Sequence, residues 1–243
     1  MRPGWDYEKG EALPYPAGTI PRLLLFWITT EALRTNSRKL ELEDSLAAFM
    51  RELGLDPSRG GKRSDARRLR LQMQALFRSI ISFEYHEGDD SKGRMGWHDM
   101  QVAPKAELWW DLQRPDQAGL FGSYIELSES FYNAIKAAPV PVNMKALRAL
   151  KGSAMALDLY AWATFKTFQV LKKGKAQFVP WRALATQLGS DYGDISNFRK
   201  KALASLRKVQ VVYPGFDWDQ VEGGIMVNPG RLAITEKRKP LKK

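Results

Sequence analysis

The sequence predicts an α+β, mostly helical chain made of two tandem winged-helix domains, each a helix-turn-helix with a β-hairpin behind it. Three observations carry this. The order helix, strand, helix, helix, hairpin can be read twice along the 243 residues. Central segments align between the copies: "LELEDSLAAFMRELG" with "FVPWRALATQLG", and "RRLRLQMQALFRSIISFEY" with "FRKKALASLRKVQVVY". In each copy the helix before the hairpin sets cations opposite apolar residues, the pattern of a helix with one buried side. A recurring order of elements is itself a sign of internal duplication.

Taken in order, residues 1–17 hold Gly4, Gly10, Pro14 and Pro16 and read as an irregular arm. The first domain spans 18–112. Pro21 suits the first turn of a helix over 21–36, where its missing N–H has no partner to lose. "RKLEL" is a short strand, and "DSLAAFMRELG" is a helix that Asp44 caps and Gly54 ends. After the loop "LDPSRGGKR" comes a long helix, "SDARRLRLQMQALFRSI", with Ser64 or Asp65 as cap. "ISFEYHE" and "RMGWHDMQVA" flank "GDDSKG" as a hairpin. A polar linker at 113–122, opening "QRPDQAG", carries both Pro and Gly and marks the domain boundary.

The second domain spans 123–234. Its first part, "SYIELSESFYNAIKAAPVPVNMKALRAL", reads as a strand and two short helices that brace it. "SAMALDLYAWATFKTFQVL" is an amphipathic helix and "AQFV" a strand. "PWRALATQLG" is a helix started by Pro180 and ended by Gly189, and "GDISNFRKKALASLRK" is the helix that follows it. "VQVVY" and "GGIMVN" are expected to pair as the second hairpin around an acidic, Gly-rich loop. Residues 235–243 close the chain as a basic tail.

Charge narrows the function. The formal net charge is +11 and the sequence pI is about 9.8, so the chain attracts polyanions through a potential that salt screens. Nucleic acid is the partner class this favours, ahead of an anionic membrane. The absence of cysteine excludes disulfides and thiolate metal sites and fits a reducing cytoplasm. The longest purely apolar run, "LLLFWI", is too short to span a bilayer, and no signal-peptide pattern follows Met1. The expected location is cytoplasmic, with no membrane partner.

The two cationic helices supply the candidate DNA-binding residues. Projecting 193–208 at about 100° per residue puts Ile195, Phe198, Ala202, Leu206 and Val209 on one stripe. Asn197, Lys200, Lys201, Ala204 and Lys208 fall opposite, with Ser196 and Arg207 at the margin. In a helix-turn-helix the second helix enters the major groove. There Asn197 suits adenine, and the lysines suit phosphates or guanine. In the first domain Arg63, Arg67, Arg70, Gln74 and Arg78 form the corresponding stripe, opposite Leu69, Met73, Leu76 and Ile80. Ordinary surface helices balance such cations with Glu at i±4, and neither helix contains one. From 62 to 78 six cations face Asp65 alone, and from 194 to 208 five face Asp194 alone. Lys92 and Arg94 at the first hairpin suit a wing touching phosphates, whereas Asp217, Asp219 and Glu222 make the second tip acidic.

Several quoted blocks resemble the plasmid replication initiators of the RepA/TrfA type. They are "PRLLLFWITTEALRT", "LEDSLAAFMRELGL", "LRLQMQALFRSII", "PVPVNMKALRALKGSAMALDLYAWATF" and "ISNFRKKALASL", and together they span about residues 18–234. The resemblance implies two winged-helix domains that bind direct repeats at a plasmid origin and help melt an adjacent AT-rich region. It implies a host replication initiator and a replicative helicase as partners, and homodimerisation through the first domain. A dimeric repressor binding one inverted repeat is the alternative for the same surfaces.

Enzyme readings find little support. His86 and His98, the only histidines, stand twelve apart on one hairpin and read as cross-strand or surface residues. "GDD" at 88–90 reads as a turn. No P-loop and no nucleophile elbow is present, so no catalytic residue, metal or cofactor is expected. Trp97, Trp109, Trp110, Tyr160, Trp162 and Phe165 are expected to pack in cores.

Overall fold

The structure, a computed structural model, describes residues 1–58, 61, 64–87, 94–111, 114–119, 122–190 and 192–234. The side chains of 84–87, 94 and 95 lie outside that description. The chain divides into two compact units, Met1–Pro139 and Val140–Lys243. This division falls later than the expected linker at 113–122, because the chain beyond that linker returns to the first unit.

In the first unit the arm is a packed element. Strands β1 (Trp5–Asp6) and β2 (Glu11–Ala12) pair antiparallel. Leu13 is buried, and the Arg2 backbone exchanges both hydrogen bonds with Ile80, at 2.8 and 2.9 Å. Helix α1 (Ile20–Thr35) carries Pro21 in its first turn and buries Leu23, Leu24, Trp27, Ile28 and Ala32. Strand β3 (Lys39–Glu41) leads to α2 (Leu46–Glu52). Ser45 caps α2, its Oγ accepting from the Ala48 N–H at 3.2 Å, so Asp44 is not the cap. Helix α3 (Asp65–Arg78) is capped by Ser64, which accepts from the Arg67 N–H at 3.3 Å.

The long hairpin follows, β4 (Ile80–Glu87) with β5 (Arg94–Gln101), antiparallel from Ile80↔Gln101 to Glu87↔Arg94. Strand β6 (Lys105–Glu107), strand β7 (Tyr124–Glu126) and helix α4 (Glu129–Ala137) complete the unit. Here the first copy departs from the expected repeat. Strand β3 joins β7 and β6 in a sheet of order β3-β7-β6, while β4–β5 stands as a separate two-stranded sheet. Buried Leu40 pairs with buried Ile125 across β3 and β7, which draws 124–126 into this unit rather than the second.

In the second unit α5 (Met144–Leu150) and α6 (Ala154–Lys173) precede β8 (Gln177–Pro180), α7 (Trp181–Gln187) and α8 (Ile195–Val212). The hairpin is β9 (Trp218–Val221) with β10 (Gly224–Val227), and β8 adds to give the order β8-β10-β9. The expected strand at 209–213 is therefore helix through Val212. Its valines suggest a strand by propensity, but Val209 continues the buried stripe of Phe198, Ala202, Ser205 and Leu206. Tertiary burial overrides the local preference, and the hairpin forms later.

Three aromatics expected in cores, Trp97, Trp109 and Phe165, are exposed, and Phe83, for which no placement is expected, is exposed on the same hairpin as Trp97. Trp97 is 68% and Phe83 54% exposed on the first hairpin, and Phe165 is 46% exposed on α6. Trp109 is exposed, Trp110 and Trp162 half-buried, and Tyr160 buried.

Gly224 sits where a Cβ would lie 2.2 Å from the Val179 carbonyl oxygen on β8. Gly224→Ala must separate β10 from β8, at a cost of about 1–3 kcal/mol. Gly193, with nothing within 4 Å of a built Cβ, is the control. Thermal melts should show a lowered midpoint for Gly224→Ala and a near-native one for Gly193→Ala.

Candidate nucleic-acid interface

Helix α8 is positioned by burial. Phe198, Ala202, Leu206 and Val209 are fully buried, and α8 packs against α5, α6 and α7. Ile195 at the first turn is only half-buried. Because these residues occupy one side, the opposite stripe faces outward. Ser196, Asn197, Lys200, Lys201, Ala204, Arg207 and Lys208 are all exposed, as is Arg199 on the flank. The helix start is fixed by Asp194, whose Oδ1 accepts from the Ser196 N–H at 2.9 Å. Trp162 Nε1 donates to Gln187 Oε1 at 2.9 Å, tying α6 to the end of α7 just before the turn into α8.

One cation on this face is already oriented. Lys201 Nζ lies 4.7 Å from the centroid of the Tyr192 ring, and that ring stands 6.1 Å from Phe198. Tyr192 is not among the residues that charge and periodicity single out. Its position three residues before the helix start and nine before Lys201 is the signal that points to it, since an aromatic face attracts an ammonium.

The acidic second wing is smaller than expected. Its turn is Glu222–Gly223, with Gly223 at φ 74. Asn228 Nδ2 donates to Asp217 Oδ1 at 3.1 Å and to Asp219 Oδ2 at 2.8 Å. Two of its three carboxylates are thus engaged at the base of the hairpin, and exposed Glu222 is left at the tip.

The first-unit stripe is less open. Arg67 and Arg70 are exposed, Gln74 is half-buried, and Arg78 Nη1 donates to the Trp5 carbonyl at 3.0 Å. Arg70, Gln74 and Arg78 line a cavity of about 340 Å³ whose far wall is residues 103–110. Arg68, beside the stripe, pairs with Asp65 at 3.0 Å. The arm and that wall are long-range features with no local sequence signal. Leu69, Met73 and Leu76 are buried as expected, while Ile80 is half-buried and begins β4. Arg63, Lys92, the "GDD" turn and the basic tail lie outside the described residues. Arg94 opens β5 opposite Glu87. Among the described residues no group of three or more His, Asp or Glu side chains is placed to hold a metal ion.

Among the described residues Asp194 is the one anion at the N-terminal end of α8, the end that a duplex would meet if this helix binds DNA. Asp194→Asn keeps the cap and costs less than about 1 kcal/mol of stability. Non-specific duplex affinity at low salt should rise by roughly threefold, because one repulsive charge is gone. Filter binding alongside a thermal melt reads both quantities.

Comparison with known proteins agrees with the blocks seen in the sequence. The family described as "Plasmid encoded RepA protein" matches over residues 14–183. No individual curated protein shows significant similarity to the chain. Among solved structures, one described as "Crystal structure of the RctB domains 2-3, RctB-155-483" aligns at a TM-score of 0.48 with 9% identity, covering 85% of this chain and 79% of that one. At that score the likeness carries no argument. The family match spans more than half of the sequence, and the chain belongs to the plasmid-encoded RepA family of replication initiators.

Proposed function

We propose that this protein initiates plasmid replication by binding duplex repeats at the origin, with α8 as the helix that enters the major groove. The observation that carries the reading is the exposed stripe of α8. Asn197, Lys200, Ala204 and Lys208 share one solvent-facing side with no acidic residue among them. Small Ala204 lets the helix approach closely. Asn197 near the helix start supplies a base-reading amide, and the cations supply phosphate contacts. The strand order β8-β10-β9 behind α7 and α8 supports a winged-helix reading of the second unit. In the first unit Arg67, exposed and outside the cavity lining, is a cation suited to a phosphate contact from α3. The chemistry is binding and duplex deformation, without strand cleavage.

On this reading several bound copies store enough interaction free energy to bend and open the neighbouring AT-rich duplex. The host initiator and replicative helicase are then recruited in the cytoplasm. No helix among the described residues is long and apolar enough to cross a membrane. The exposed Phe83 and Trp97 on the first hairpin support dimerisation through that unit, which a repressor mode on an inverted repeat also requires.

Two variants separate the roles on α8. Lys200→Ala should weaken binding by a similar factor at every sequence and lower the salt slope of log K by about 1. Asn197→Ala should relax preference at one base pair, with a loss of about 1–3 kcal/mol on the preferred base. Equilibrium binding to a set of single-base operator variants, across a salt series, measures both. Unchanged affinity and slope in both variants, with native melting, would remove α8 from the interface.

A further inference from the structure

The α3 cations suggest a second binding chemistry. A major-groove helix must project beyond its neighbours, yet Arg70, Gln74 and Arg78 form one side of a partly open cleft of about 340 Å³. Buried Leu46, Met73 and Phe77 also line it, and Pro104, Ala106, Leu108 and Trp110 close the other side. Among the described residues no carboxylate lines the cavity. It therefore pairs two guanidinium groups with apolar and aromatic walls, and it favours an anion with a planar apolar body.

The parts are held in place. Arg78 is anchored to the Trp5 carbonyl at 3.0 Å. The Trp110 ring lies 5.2 Å from Phe49, and its Nε1 donates to the Glu43 carbonyl at 3.4 Å. Arg70 is exposed and has no hydrogen bond or ion pair to a described residue. Eight residues of helix separate Arg70 from Arg78, a span of roughly 12 Å. That is about the length of one nucleotide from phosphate to base edge. Gln74, between the arginines, offers both a donor and an acceptor to a base.

We infer that this cavity binds a single nucleotide unit, its phosphate on Arg70 and its base between the Met73–Phe77 floor and Trp110. The unit comes either from a free nucleoside phosphate or from an unpaired DNA strand. This is independent of duplex reading by α8.

The test uses the full chain and two probes: a fluorescein-labelled ten-thymidine single strand, and unlabelled thymidine triphosphate as competitor. Ala106→Trp fills the cavity from an exposed strand position without changing charge. The inference expects Ala106→Trp to weaken single-strand binding by about tenfold or more, with duplex binding and melting unchanged. Displacement by the triphosphate identifies a free nucleotide as ligand, and failure to displace identifies the strand. If Ala106→Trp lowers the melting midpoint, Ala106→Leu, a smaller filler at the same exposed position, gives the same readout. Wild-type single-strand affinity in both variants, or no binding of either probe to the wild-type chain, would overturn the inference. Loss of duplex binding in Lys200→Ala with nucleotide binding intact separates the two readings.

Discussion

The burial of one stripe of α8 against the rest of the second unit is the constraint on which the account depends. Phe198, Ala202, Leu206 and Val209 are fully buried, and burying a side chain such as Phe or Leu contributes about 1.5–3 kcal/mol. Repulsion between neighbouring surface cations costs only a few tenths of a kcal/mol per pair, about 0.2–0.5 at i,i+4 spacing. Packing therefore wins easily, and the helix holds its cationic side outward although no acid on that side balances it. The unbalanced stripe is a standing attraction for a polyanion, and the apolar stripe fixes where it points.

The rest of the second unit supports that orientation. The Trp162–Gln187 hydrogen bond joins α6 to α7 at 2.9 Å. Asp194 starts α8 at a defined residue, and Tyr192 orients Lys201. On the wing Asn228 engages Asp217 and Asp219 and holds these carboxylates at the base of the hairpin, while Glu222 stands at its tip. The first unit uses its cations differently. There the arm and residues 103–110 pack around α3, and the same arrangement of arginines becomes the wall of a cavity.

Much of this is legible in the sequence where the signal is local and periodic. The α8 stripe, the Pro21 and Pro180 helix starts and the long β4–β5 hairpin follow from spacing and turn residues. Ser45 as cap in place of Asp44 is a one-residue difference that only side-chain geometry decides. What the sequence hides is non-local. Nothing near Leu40 announces Ile125 as its partner, and nothing in the glycines and prolines of the arm announces its docking on Ile80. Val209 to Val212 read as strand because valine prefers extended backbone in isolation, whereas the core stripe of α8 decides otherwise. Trp97 and Phe165 were expected in cores because large aromatics bury well. They are exposed, as single apolar side chains on a protein surface often are.

The most direct test of the initiator account is footprinting of the full chain on supercoiled plasmid origin DNA with a single-strand-reactive probe in the same reaction. The account predicts protection of regularly spaced direct repeats together with new reactivity in a flanking AT-rich stretch. Protection of a single inverted repeat, with the duplex closed throughout, would contradict it.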